Sequence, residues 1–384
     1  MKSRIIPLLT TGHATATMRP APEPPTMPSL EHAWILVMAG GSGTRFWPLS
    51  RASRPKQMLP LAGGPPLLRR TVDRARPLVP PSRTLVFTAA GLAPAVRRML
   101  PEIPPGNVLG EPVGRNTAPC VGVAAGLARA RDPRAVMAVL PADHVISDER
   151  AFRADLSRAL RLAAREPWLV TLGVRPTGPA TGYGYIETGP PLPVDRRARR
   201  VRRFIEKPSL ARARRFLAAR RFLWNAGIFA WGAETILGAI RACHPTLGRR
   251  LDALDRARWA PAAIARAYPA FPSISIDYAV LEKAPQVAVL PVRFEWDDVG
   301  TWDAIPAHHP ADRCGNVCVG DAVAEDAREN LLVAEKGGLV AALGVKGLVV
   351  VHTPDATLVC PRGRTQEIRK IVETLRSRGD ACRL

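Results

Sequence analysis

One loop and a few charged side chains stand out as able to do chemistry together. In "WILVMAGGSGTRFWPLSRASRPKQMLPL" an apolar run, Ile35 to Met38, leads into Gly40, Gly41 and Gly43, followed by Arg45 and then Lys56. Glycine lets a backbone approach a ligand closely and take positive φ. A bare loop after a strand can hold phosphate on its N–H groups, with arginine gripping two phosphate oxygens and lysine acting as a point charge. Neither familiar phosphate loop is present. Phe46 stands where the dinucleotide fingerprint needs its third glycine, and Gly-Lys-Ser/Thr is absent. "LPADH" puts Asp143 just past a second apolar run, and "EWDDVGTW" puts Asp297 and Asp298 past a third. A triphosphate calls for a divalent ion, and Mg²⁺ takes one or two carboxylates plus substrate oxygens. Asp143 and Asp298 could supply them from two strand ends. Each feature alone has a plainer reading. Glycine turns are common, an aspartate after a strand serves as a turn or cap, and His144 reads as a local hydrogen-bonding neighbour.

The elements that must carry these groups alternate. "AWILVMA", "RTLVFTA", "AVMAVLPADHVI" and "WLVTLGV" read as buried strands. "PLLRRTVDRARPLV", "LAPAVRRML", "NTAPCVGVAAGLARARD" and "DERAFRADLSRALRLAARE" read as helices between and after them. This order predicts an α/β fold with a mainly parallel sheet and helices on both faces. Ligands of such sheets lie beyond the carboxyl ends of the strands, where the glycine loop and Asp143 fall. From Thr181 the pattern loosens into "GYGYIETG", "VRRFIEKP" and "FLWNAGIFAW", read as strands, with a helix over 233–242. After about residue 310, short Val-rich runs broken by glycine predict a small all-β appendage closed by a helix over "TQEIRKIVETLRSRG". Its strand edges and helix would invite a second copy, giving a homodimer through the C-terminal segment. The expected divisions are a disordered tail over 1–31, a catalytic domain over 32–310 and the appendage over 311–384.

Composition narrows the function classes. The 384 residues carry a formal charge of +22, but arginines are spread along the chain without interleaved aromatics or a basic helical stripe. That pattern argues against nucleic acid and for a field that attracts phosphorylated small molecules. No run of eighteen apolar residues is present, so no membrane span is expected. The six cysteines are scattered, in keeping with reduced thiols and a cytoplasmic location.

Read in order, "AGGSGTRFWPLSRASRPKQMLPL", "EPVGRNTAP" (111–119), "LPADH" (140–144), "TGYGYIE" (181–187), "FIEKP" (204–208), "WNAGIF" (224–229), "SIDYAVLEK" (275–283) and "WDDVGTW" (296–302) resemble the signature of sugar-1-phosphate nucleotidyltransferases, in particular the mannose-1-phosphate guanylyltransferase branch. The resemblance implies a Rossmann-like, glycosyltransferase-A-type domain with a left-handed β-helix-like tail. It implies the reaction of GTP and mannose 1-phosphate to GDP-mannose and pyrophosphate with Mg²⁺. By position Gly40, Gly41, Gly43 and Thr44 would line the nucleotide. Glu111, Asn116 and Thr117 would lie near the guanine, and Arg45 and Lys56 would hold phosphates. Asp143 and Asp298 would hold the metal, with Asp297 leaving open which of the two neighbours faces it. Tyr183, Gly184, Glu206, Lys207 and Asn225 would form the sugar-phosphate pocket. The chain looks like a short form without a fused phosphomannose isomerase. A sibling activity on another nucleotide or hexose 1-phosphate, or an inactive regulatory relative, remain the alternatives.

Overall fold

The computed structural model describes residues 29–41 and 43–384. The expected tail therefore lies outside the described residues, except for its last three positions. Strands β1 (Ala33–Ala39), β2 (Thr84–Ala89), β3 (Val108–Glu111) and β4 (Val136–Pro141) alternate with helices α1 (Leu67–Ala75), α2 (Ala93–Met99) and α3 (Thr117–Arg131). After the short β5 (Val145–Ile146) come α4 (Glu149–Arg165) and β6 (Leu169–Val174). Then follow β7 (Tyr185–Pro191), β8 (Arg199–Ile205), α5 (Leu210–Ala218), β9 (Phe222–Gly232), α6 (Ala233–Cys243), α7 (Pro245–Arg256), α8 (Pro261–Ala267), β10 (Val287–Pro291) and β11 (Trp296–Asp297).

The main sheet has the order β3-β2-β1-β4-β9-β6-β10-β8-β7. The pairings β1 with β2 and β4, β2 with β3, and β6 with β10 are parallel. β9 runs against β4, β6 and β7, and β8 against β10 and β7. Most strands thus point one way, and β8 and β9 oppose them. The two faces carry separate cores. Along β1, Trp34 and Leu36 join a core with α3, α6 and α7, while Ala33, Ile35, Val37 and Ala39 join another with α1, α2 and α4. That period of two is why the run has no polar face: both sides are covered.

Beyond the sheet, β12 (Val317–Val319), β14 (Leu331–Ala334) and β16 (Leu348–Thr353) stack in parallel, as do β13 (Ala322–Glu325) and β15 (Val340–Leu343). β17 (Ala356–Pro361) closes the first stack antiparallel to β16. Two asparagines one coil apart fill the inner turns. Asn316 Nδ2 donates to the Ala327 carbonyl at 2.8 Å, and Asn330 Nδ2 donates to Asn316 Oδ1 at 2.9 Å. Both are buried, and the ladder satisfies turn groups that would otherwise be costly to desolvate.

The closing helix α9 (Ile368–Ser377) is amphipathic, and its Ile368 and Val372 are spent inside the molecule. They join a third core that runs from Phe46, Trp47, Leu59 and Leu61 of the glycine-loop segment to Leu331, Val349 and Leu358 of the coils. Trp302 sits at its centre, 1% exposed, with its ring 5.1 Å from that of Phe46 and its Nε1 donating to the Trp47 carbonyl at 3.2 Å. Trp302→Ala is expected to cost about 3–5 kcal/mol of unfolding free energy, read by urea denaturation. A loss below about 1 kcal/mol would show that the joint is held elsewhere.

Candidate active site

A cleft of about 430 Å³ opens at the carboxyl ends of β1, β3 and β4, within the range of small-molecule sites, roughly 300–1,000 Å³. Parallel pairing sets Met38 opposite Pro141, so the glycine loop and Asp143 leave the sheet side by side. An antiparallel strand begins where its parallel neighbours end, which brings the start of β9, with Asn225, to the same edge. Tyr185 of β7 lies opposite both Trp224 and Ile205, and so Tyr183, Gly184 and Glu206 arrive beside Asn225. Gly40, Gly41, Glu111, Asn116, Thr117, Asp143, Tyr183, Gly184, Glu206, Asn225 and Asp298 all line this cleft. Gly43, Thr44, Arg45, Lys56 and Lys207 are outside its lining; Lys56 supports the wall from behind, and Lys207 adjoins Glu206 at the other end.

Lys56 is the hub. Its side chain is 8% exposed, and its Nζ donates to Asp143 Oδ2 at 2.8 Å and to the Asp298 carbonyl at 2.5 Å. Burial alone would raise the pKa of Asp143, but the Lys56 ammonium, with His144, outweighs it and keeps the carboxyl below its usual range. Gly43 is needed to seat this lysine. It has φ +61°, and a Cβ there would lie 2.5 Å from Lys56 Cβ and 2.7 Å from its backbone nitrogen. Ser50 Oγ holds the Gly43 carbonyl at 2.7 Å, and Gln57 Nε2 holds the Ala39 carbonyl at 2.6 Å. Gln57 lies inside the quoted "PKQ" motif, yet nothing in its residue type marks it as the loop's anchor.

The two neighbouring acids part company. Asp298 Oδ1 accepts from the Tyr183 hydroxyl at 2.8 Å and faces the cleft. Asp297 is engaged elsewhere: its Oδ1 accepts from the Val299 N–H at 2.7 Å and its Oδ2 pairs with His308 Nε2 at 2.8 Å. Burial, then the Asp298 charge, pushes the Tyr183 hydroxyl far up, so it stays a donor. Arg45 lies across from this pair. A Cβ on Gly300 would be 3.3 Å from both Asp298 carboxylate oxygens and 3.6 Å from Arg45 Nη1, so acid and guanidinium border one space. Arg45 Nη1 also donates to Gln366 Oε1, just before α9, at 3.4 Å. His144 keeps a local role. It accepts on Nδ1 from Trp296 Nε1 at 3.0 Å, and burial lowers its pKa.

At one end of the cleft Glu111 accepts from the Tyr268 hydroxyl, while burial raises the Glu111 pKa against that bond. Tyr268 stands in a stretch with no motif, far along the chain, and had no sequence signal. Asn116 caps α3 by accepting from the Thr117 N–H at 2.9 Å, at φ +63° and ψ −169°, a conformation that residues other than glycine rarely take. At the other end Lys207 Nζ pairs with Glu206 Oε1 at 2.8 Å and is largely exposed. Asn225 Nδ2 donates to Asp277 Oδ1 at 3.0 Å. Asp277 also lines the cleft; it sits in the quoted "SIDYAVLEK" but without an expected role.

A glycine loop after the first strand, a buried cation between two strand-end acids, and a separate polar end make a cleft suited to a nucleotide and a second phosphorylated reactant. The sequence profile of the nucleotidyl transferase family matches residues 35–313, and that of a "MannoseP isomerase/GMP-like beta-helix domain" matches 320–375; the chain belongs to the nucleotidyl transferase family. It is 39% identical over 353 residues to the xanthan biosynthesis protein XanB of Xanthomonas campestris pv. campestris, covering 90% of this chain and 73% of that one. It is 38% identical over 362 residues, with the same coverage, to a mannose-1-phosphate guanylyltransferase of Escherichia coli (strain K12). A crystal structure from Thermus thermophilus, described as a mannose-1-phosphate geranyltransferase, superposes with TM-score 0.81 at 40% identity over 90% of this chain and 99% of that one. Among the described residues no helix is long and apolar enough to cross a membrane.

Proposed function

We propose that this chain transfers GMP from GTP to mannose 1-phosphate, releasing pyrophosphate and GDP-mannose. The observation that carries the reading is the meeting, in one cleft, of the glycine loop, the Lys56-bridged acids and the Tyr183–Asn225 end. The likeness to the guanylyltransferase of E. coli supports it.

Asp143 and Asp298 fit a magnesium ion. Both residues line the cleft. Two carboxylates with open positions is the donor set that Mg²⁺ completes with substrate oxygens. When bound there it would offset phosphate charge.

A phosphate oxygen of the sugar phosphate forms a bond to the α-phosphorus of GTP, and the bond from that phosphorus to the β-phosphate bridge breaks. The attacking oxygen is already an anion, so no strong base is required. The obstacle is mutual repulsion of two polyanions, which makes positioning and charge neutralisation the dominant contributions. The backbone N–H groups of Gly40 and Gly41 and the hydroxyl of Thr44 orient the nucleotide phosphates. Lys56 and Arg45 offset charge on the departing pyrophosphate. Glu111, Asn116 and Thr117 take the base end. Tyr183, Gly184, Glu206 and Asn225 hold the sugar, and Lys207 meets its phosphate. Tyr183 has a further part, fixing the rotamer of Asp298 through its hydroxyl.

A matrix of four nucleoside triphosphates against several hexose 1-phosphates, scored by pyrophosphate release, tests the reading. GTP with mannose 1-phosphate should give the highest kcat/KM, and a better rate with another pair would replace it with a sibling activity. Arg45→Ala should lower kcat by roughly 10²–10³-fold, measured at saturating substrates, and an unchanged kcat would remove Arg45 from the phosphate site.

A further inference from the structure

We infer that Asp277 is a positioning residue for the sugar half of the cleft: its carboxylate fixes the Asn225 amide so that one Nδ2–H is left for the sugar phosphate. This rests on the functional reading above. The amide of Asn225 has its orientation set from both sides. Its Oδ1 accepts from Thr171 Oγ1 at 2.9 Å and from the Gly227 N–H at 3.1 Å. Its Nδ2 donates one hydrogen to Asp277 Oδ1 at 3.0 Å. With the Gly227 N–H on the oxygen and a carboxylate on the nitrogen, a flipped amide would lose both of those bonds, the Thr171 hydroxyl alone being able to serve either orientation. Asn225 lines the cleft, and an amide nitrogen carries two hydrogens, so the second is available to a ligand.

Asp277 is itself placed with care. The preceding residues are stapled to the start of α3: the Ala118 N–H donates to the Ile274 carbonyl at 3.1 Å, and the Ile276 N–H to Thr117 Oγ1 at 2.9 Å. The same short segment therefore ties the base end of the cleft to its sugar end. Around Asp277 stand Glu206 and Lys207 at the end of β8, Ser275 of its own turn, and the neighbouring Tyr278. Glu282 lies further along the turn and accepts from the Glu206 N–H at 3.2 Å. Burial, then the Glu206 charge, pushes the Asp277 carboxyl up to about 6. Above that value the carboxylate holds Asn225 through a charge-assisted bond; below it, a neutral acid holds the amide less firmly.

The test compares the parent with Asp277→Ala and Asp277→Asn in steady-state kinetics from pH 5 to 8. Asp277→Ala should raise the KM for mannose 1-phosphate by about tenfold, the scale of one charge-assisted hydrogen bond, and leave the KM for GTP within about twofold. Asp277→Asn keeps a neutral acceptor and should fall between the two. A phosphate monoester titrates near pH 6 itself, so the readout is the ratio of kcat/KM for the sugar phosphate, parent over Asp277→Asn, in which the substrate's titration cancels. The ratio should fall from several-fold at pH 7.5 toward one at pH 5, as the parent acquires its own neutral acid. A flat ratio, or equal rises in both KM values for Asp277→Ala, would overturn the inference while leaving the functional reading in place. A parent that releases no pyrophosphate with mannose 1-phosphate would overturn both.

Discussion

A buried ammonium must be paired or it destabilises the fold by several kcal/mol, and the arrangement around Lys56 follows from that constraint. Its partners come from two distant strand ends, the Asp143 carboxylate after β4 and the Asp298 carbonyl after β11. The lysine belongs to the glycine-loop segment, which is anchored by Gln57 on the end of β1. One cation thus ties together three structures, adding to the β5–β11 pairing, with Val145 opposite Asp297, and to the Trp302–Phe46 contact that also join them. The carbonyl contact also orients the Asp298 backbone, leaving its carboxylate to Tyr183 and the cleft.

The coils beyond residue 311 serve the same end from outside. The glycine-loop segment has few side chains to bury at its tip but a strongly apolar return, Phe46, Trp47, Leu59 and Leu61, and these pack with the β-helix and α9 rather than with the main sheet. Polar contacts repeat the pattern. Trp47 Nε1 donates to the Arg383 carbonyl at 2.8 Å, Arg51 pairs with Asp355 at 2.8 Å, and Arg54 with Glu335 at 2.6 Å. Asp303, five residues after Asp298, accepts from Gly363 and Thr365. The loop and the acid-bearing turn therefore share one support. Surface pairs such as Arg54–Glu335 add little individually; the apolar joint carries most of the stabilisation.

The legible parts of the molecule were those whose physics is local. β1 reads as a strand because seven apolar residues in a row are buried on both faces, and α3 because Asn116 and Thr117 announce its start. Gly43 was legible as a site of positive φ, though not that Lys56 would occupy the space a Cβ needs. The sequence reading favoured Asp298 but had no physical ground to set Asp297 aside. Their separation depends on the His308 and Val299 partners of one and the Tyr183 partner of the other, all set by tertiary packing. Tyr268 reaches Glu111 across more than 150 residues, and no periodicity encodes such a meeting. α5, α7 and α8 were not anticipated: α5 and α8 are short and rich in Arg and Ala, whereas α7 did carry a helical signal, Leu247, Leu251 and Leu254 at i, i+4 and i+7. The terminal helix was expected to be open to a partner chain, yet its apolar stripe is largely used within this one.

The most direct test of the central claim, that Lys56 and Asp143 act as one unit, is a double-mutant cycle of Lys56→Met and Asp143→Asn scored by kcat/KM for GTP. Residues of a single unit give strongly non-additive losses. The double variant is expected to be no worse than the poorer single variant, to within about threefold. A double variant whose loss equals the product of the two single losses would contradict the claim, because each group would then be working alone.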